Sequence, residues 1–251
     1  MSESHDDFYT GYLPEAPSGI AAHVRRVIAA LMAVTVAVAL ILIFGQQGFS
    51  SAAYEWLVFR DFEGVVRETP YPMLEVGRPL SSAGERSRLY LVAPGKLGVA
   101  AEVAGLDGRR VRLQGSLLYR DDQTMIEVVP GSIEAGDTAT AASPEIALGT
   151  HTLSGRIVGS KCFLGIMKPG STKPHRACAT RCISGGIPPL LVVEDERGTA
   201  AHLLLVGTDG RAVNAEVLGM VDEPVEITGE VVRRDDLLVL YADPATYRRL
   251  T

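Results

Sequence analysis

Hydrophobic and polar positions divide the chain into three regimes. From Val27 to Phe44 there are 18 residues without a charge, enough for a helix at the short end of what crosses a bilayer core. Beyond residue 60, short runs rich in Val, Leu and Ile alternate with polar positions, the period-2 signature of strands. They lie at Phe62–Val66, Ser87–Val92, Val111–Tyr119 and Thr124–Val129, and again at Leu153–Val158, Leu190–Val193, His202–Val206, Val225–Val232 and Leu237–Tyr241. In each set a segment closed by glycine, Val99–Gly105 or Val213–Gly219, reads as one short helix. The third regime, residues 161–189, follows neither period and holds every cysteine of the chain.

The two strand sets are copies of one another. Arg88-Leu-Tyr-Leu-Val92 aligns with His202-Leu-Leu-Leu-Val206, Ala101-Glu-Val-Ala-Gly105 with Ala215-Glu-Val-Leu-Gly219, and Val111-Arg-Leu-Gln-Gly115 with Val225-Glu-Ile-Thr-Gly229. The offset stays at 114 without a gap through Arg120-Asp-Asp122 against Arg234-Asp-Asp236 and Pro130 against Pro244. Self-similarity of this length means one domain present twice. Three strands, a helix and two strands is the order of a five-stranded OB-type barrel. The expected fold is therefore mainly β: an N-terminal transmembrane helix followed by two tandem OB-like barrels. Its boundaries are a tail at 1–26, a membrane helix at 27–45, a first barrel at 54–135, a linker rich in Ala, Thr and Ser at 136–149, and a second barrel at 150–251. The repeated Asp121-Asp122 and Asp235-Asp236 read as hairpin-turn residues, and His202 as a surface or edge residue.

Ahead of these matches, Phe62-Glu-Gly-Val-Val66 pairs with Leu153-Ser-Gly-Arg-Ile157 at an offset of 91, so the second copy carries 23 extra residues in its first inter-strand loop. That insertion is a Cys/His cassette. His175, Cys178 and Cys182 fall at i, i+3 and i+7, one face of a helix. Ser171 or Thr172 can cap this helix, Pro174 suits its first turn, and Gly185-Gly186 before Pro188-Pro189 stops it. Cys162 comes from the end of the preceding strand; its counterpart in the first copy is Tyr71, so that copy reads as a structural twin without a site. Three thiols and an imidazole match a tetrahedral metal site at Cys162, His175, Cys178 and Cys182, zinc first, with copper or iron also accommodated. Two alternatives stay open: a disulfide from Cys162 to Cys178 or Cys182 that staples the cassette, and a thiol–disulfide exchange site. Met167 reads as core filling or an added thioether ligand. Arg156, Lys161, Lys168, Lys173, Arg176 and Arg181 stand between His151 and Leu190 with no acidic residue, a basic setting of the kind that lowers thiol pKa values.

A net charge of −6 argues against nucleic acid as a partner, and no phosphate-binding glycine loop or haem-attachment motif is present. Arg25 and Arg26 precede the apolar run and no Lys or Arg follows until Arg60, so the positive-inside rule puts the N-terminus in the cytoplasm and the bulk of the chain in a bacterial periplasm. A cleaved signal is the alternative, with Ser51-Ala52-Ala53 as its cleavage site. Tyr54 and Trp56 read as interfacial anchors, and Phe8, Tyr9, Tyr12 and Leu13 as a docking peptide in an otherwise unstructured tail.

Cys162, then His175-x-x-Cys178-Ala179-x-x-Cys182, then Gly185-Gly186-Ile187-Pro188 and the strand Leu190–Val193 form a pattern that resembles a group of small exported bacterial proteins. Those proteins have an OB-like barrel and largely undefined function, and the likeness covers Leu153 to Tyr241. A looser similarity, an anchor followed by a periplasmic OB barrel, is to the haem chaperone of cytochrome c maturation, whose His…Tyr haem-attachment motif is not found here. The resemblance implies an inner-membrane, single-pass accessory or assembly subunit of a membrane-bound or periplasmic redox complex. Such a protein offers a docking surface and a metal site rather than turning over a substrate. A thiol–disulfide oxidoreductase, a metal-delivery protein and a disulfide-stapled interaction module are the alternatives.

Overall fold

The computed structural model describes residues 16–47, 52–77, 86–139, 145–195 and 198–250. It contains two compact units, one N-terminal and one comprising both barrels. In the first unit a single helix, α1 (Ser18–Gln47), begins nine residues before the charge-free run and includes Arg25 and Arg26. Its apolar side chains are exposed all round, and Ser18–Gly45 is long and apolar enough for a membrane span or a signal sequence. At 1.5 Å per residue these 28 residues cover about 42 Å. Phe8, Tyr9, Tyr12 and Leu13, and Ser51 of the possible cleavage site, lie outside the described residues.

The first barrel contains β1 (Ala53–Tyr54), β2 (Arg60–Arg67), β3 (Met73–Gly77), β4 (Arg86–Val92), α2 (Ala100–Val103), β5 (Arg109–Arg120), β6 (Gln123–Val128) and β7 (Glu134–Thr138). The second contains β8 (Glu145–Gly159), α3 (Arg176–Ser184), β9 (Pro189–Glu194), β10 (Ala200–Val206), α4 (Asn214–Val217), β11 (Pro224–Arg234), β12 (Leu237–Tyr241) and β13 (Arg248–Arg249). In the first, β2 pairs with β3 and β5, β3 with β4, β4 with β6 in parallel, and β6 returns to β5. β8, β9, β10, β12 and β11 repeat the circuit. Both barrels are closed, as expected of an OB-type fold. β3 escapes the sequence pattern because Glu75 interrupts its apolar run. That carboxylate is buried and held by Arg88 at 2.6 Å, Arg67 at 3.1 Å and Arg86 at 3.2 Å. β7 and β8 also enter the stretch expected as linker from both ends, so His151 is a strand residue.

The apolar residues form three clusters. One fills the first barrel around Val66, Leu74, Leu91 and Ile126, and one fills the second around Ile157, Leu191, Leu205 and Leu240. The third lies between the barrels and joins Tyr71, Tyr90, Val92 and Met125 to Val158, Cys162, Leu204 and Val239. Strands β4, β6, β10 and β12 thus bury both faces, alternate residues pointing into a barrel and into the shared layer.

A twofold pattern of polar contacts frames this layer. Arg88 donates from its backbone N–H to Asp236 (3.0 Å) and from Nε to Asp235 (2.9 Å). His202, the residue aligned with Arg88, lies 3.2 Å from Asp122 through Nδ1. Each hairpin turn therefore reaches the same strand position of the other copy, the reciprocity of an isologous interface. The expectation of a surface or edge role for His202 is corrected: it is 2% exposed, because a second barrel covers the face that a lone barrel would leave to water. Asp121 and Asp235 do adopt positive φ, as turn residues.

Candidate metal centre

The cassette grows out of the end of β8. Cys162 opens a single wide turn, Cys162–Ile166, a 3₁₀ turn follows at Lys173–His175, and α3 carries Cys178 and Cys182. Pro174 sits in the first turn as expected. The expected side-chain cap does not form. Thr172 instead takes a positive φ of 76° and donates its backbone N–H to Asp222 Oδ1 at 2.9 Å, which ties the residue before the 3₁₀ turn to a buried carboxylate of another loop. Met167 is exposed, so it is not core filling.

The three cysteines converge. Cys162 Sγ lies 3.3 Å from Cys182 Sγ and 3.6 Å from Cys178 Sγ, and all three sulfurs fall within 4.8 Å of one another. The thiols are not bonded to each other. A tetrahedral ion with metal–sulfur bonds of about 2.3 Å holds its sulfurs about 3.8 Å apart, so the three positions fit one ion with small adjustments. Cys162 and Cys182 are buried and Cys178 is half-buried, which leaves one approach from solvent.

His175 stands outside that group of three ligand atoms. It is 4% exposed, and neither ring nitrogen has a hydrogen-bond partner among the described residues. Its Nδ1 lies 3.9 Å from Oδ2 of Asp222, itself fully buried and without a partner on that oxygen among the described residues. At 3.9 Å the two groups face each other without a hydrogen bond, and orphaned buried polar atoms call for a further partner. Burial, with the Lys96 charge added, lowers the His175 pKa and favours the neutral, ligating form. Burial raises the Asp222 carboxyl to about 6.

The first barrel contributes to the site, contrary to the expectation of a plain structural copy. Its loop after β4 lies against the end of α3, with Gly98 N–H donating to Gly185 O at 2.8 Å. From this loop Lys96 places Nζ 2.6 Å from Cys178 Sγ and 3.8 Å from Cys182 Sγ. Lys161, buried in the cassette, reaches the opposite way, donating to Ala93 O (2.7 Å) and Gly95 O (2.8 Å) and pairing with Glu127 at 2.5 Å. Arg176 is paired with Glu223, and Arg156 donates to the Asp222 carbonyl. The basic run is thus partly neutralised by acidic residues distant in sequence. Cys182 is nonetheless pushed down to about 6, first by the hydrogen bond from Cys162 and then by Lys96 and Lys161. Cys162 is raised, because it donates that hydrogen bond and is buried. Contact with Cys178 raises Lys96, which stays charged. Lys96 carried no sequence signal beyond being the one lysine outside the cassette.

The arrangement is a soft-donor cluster of three sulfurs with one lysine as counter-ion, and a buried imidazole outside it. In comparisons with known proteins, no family model matches the sequence and no curated protein matches it.

Proposed function

We propose that this chain is a membrane-anchored accessory or assembly subunit of a periplasmic redox system that holds one metal ion, zinc first, through Cys162, Cys178 and Cys182, with His175 completing the set. The convergence of three sulfurs within 4.8 Å carries the metal reading. The buried, unpartnered imidazole backed by Asp222 supports His175 as fourth ligand. α1 with Arg25 and Arg26 toward its N-terminal end supports an anchor with the barrels on the periplasmic side. The accessory role rests on the resemblance of the cassette to exported barrel proteins.

The test is the metal content and thiol count of the full-length protein in detergent, compared with His175→Ala. One ion per chain, three thiols titrating after chelation, and loss of the ion from the variant are expected, since removing a ligand removes metal-binding free energy. A metal-free protein with two cysteines oxidised and an unaffected His175→Ala variant would overturn metal binding in favour of the disulfide staple.

A further inference from the structure

Between β1 and β2 the chain makes a turn at Trp56-Leu57-Val58-Phe59, and all four side chains point into solvent: they are 69, 63, 47 and 58% exposed. Four consecutive large apolar residues at a turn tip are not left over from the barrel core, which is complete without them. The turn is also built. Leu57 adopts a φ of 62°, a conformation that a branched side chain rarely takes. Val58 N–H donates to Glu55 O at 3.1 Å, and Arg60 pairs with Glu55 at 2.7 Å across the base. The result is an apolar tip on a charged base.

The turn belongs to the first copy alone. At the offset of 91, Trp56 and Phe59 correspond to Ala147 and Thr150, and there the second copy simply continues β8, with Ala147 opposite Val232 and Thr150 opposite Glu230. Tyr54, expected as an interfacial anchor beside Trp56, is committed elsewhere: it is half-buried and its hydroxyl donates to Glu127 at 2.7 Å. What sets the first copy apart is its place in the chain. Six peptide steps separate Gln47, the end of α1, from Ala53 in β1, a span of at most about 22 Å at 3.3–3.6 Å per residue.

We infer that the Trp56–Phe59 turn inserts into the interfacial layer of the bilayer in which α1 is anchored, giving the barrels a second attachment to the membrane. The partner is a lipid surface. Trp and Phe at a tip with charges at its base match the preference of aromatic residues for the headgroup boundary, and the short chain between α1 and β1 limits how far this turn can lie from the end of α1. Two membrane contacts on one chain reinforce each other through effective concentration and restrict the orientation of the barrels that carry the cysteine site. The inference rests on the reading of α1 as a membrane span.

Trp56 is the single tryptophan of the chain, so its fluorescence reports on the turn without mutation. The full-length protein is reconstituted into phosphatidylcholine vesicles, with and without bromine on the acyl chains near the headgroup. The proposal expects co-flotation with the vesicles, loss of most Trp56 emission in the brominated lipid, and poor quenching by aqueous iodide. Moving the reporter within the turn, in a Trp56→Phe, Phe59→Trp double variant, is expected to retain quenching by the brominated lipid. Co-flotation with Trp56 unquenched by bromine and open to iodide would overturn the insertion while leaving the anchor intact. Shielding from iodide without quenching by bromine would overturn it in favour of a protein contact. Failure to co-float would overturn both the anchor and the insertion.

Discussion

Replacing Gly185 by alanine tests whether the cysteine site depends on the first barrel. Gly185 follows α3 with φ −84° and ψ 5°, a conformation alanine accepts, so no backbone strain enters. The obstacle is contact: a β-carbon there falls 1.9 Å from the carbonyl oxygen of Lys96 and 3.1 Å from its carbonyl carbon. Both are backbone atoms and cannot swing aside. Restoring van der Waals separation requires the loop after β4 and the end of α3 to part by about 1.5 Å. That movement breaks the hydrogen bond from Gly98 to Gly185 and withdraws Lys96 from Cys178. Overpacking costs about 1–3 kcal/mol and the lost hydrogen bond about 1 kcal/mol. A total of about 2–4 kcal/mol lowers the melting temperature of a unit this size by about 5–15 °C. The assay pairs a thermal melt of the barrels with the rate of Cys178 alkylation in the metal-free protein. Gly95→Ala serves as control, since its β-carbon meets nothing within 4 Å and only its φ of 74° opposes the change. A Gly185→Ala protein that melts within about one degree of the parent, with Cys178 reactivity unchanged, would refute the inter-barrel clamp.

Two further outcomes follow from the same contacts. Tyr71 is buried between the barrels, donating its hydroxyl to Leu205 O at 3.2 Å and accepting from Val213 N–H at 3.0 Å. Tyr71→Phe strands both groups and is expected to cost about 1–3 kcal/mol in a denaturant melt while leaving metal content unchanged; a melt identical to the parent counts against a tight interface. In the metal-free, reduced protein, thiolate absorbance is expected to titrate near pH 6, the value to which Cys182 is depressed from the ordinary thiol value of 9.0. Its contribution to stability is present above pH 9 and is lost as pH falls through about 6. Asp222, raised to about 6, acts in the opposite sense, its contribution present below 3.8 and lost as pH rises through 6. The two oppose each other in a melt, so absorbance is the deciding measurement. Lys96→Met is expected to move the titration upward, and an unmoved titration would remove Lys96 from the account.

The duplication and the cassette were legible because each leaves a linear trace: a constant offset of 114 across strands, and three cysteines and a histidine crowded into 21 residues. What escaped depends on contacts between segments far apart. Glu75 hid β3 because its arginine partners come from three positions on two strands. His202 was misread because period-2 alternation marks which residues share a face and is silent on whether a second barrel covers the outer one. Lys96 meets Cys178 across 82 residues of sequence, through a loop with no pattern of its own. Ahead of α3, Thr172 carries a familiar capping signal, yet its side chain caps nothing and its backbone N–H goes to Asp222, 50 residues away in sequence.

The two copies have diverged where the interface meets the first inter-strand loop. Reciprocal pairing of Arg88 with Asp235 and Asp236, and of His202 with Asp122, is what two identical barrels would make across a twofold axis. At the loops the equivalence ends. On one side the Tyr71 hydroxyl binds Leu205 and Val213 and closes the gap. On the other, the cassette sends Lys161 into the first barrel and receives Lys96 at its thiols, while the residue aligned with Lys96 in the second copy is Gly210, which has no side chain to offer. A site of three converging thiols carries mutual repulsion once a second of them ionises, and an ammonium 2.6 Å from one sulfur offsets it. The cluster thus draws on both copies: the second supplies the three thiols, and the first supplies the ammonium beside them.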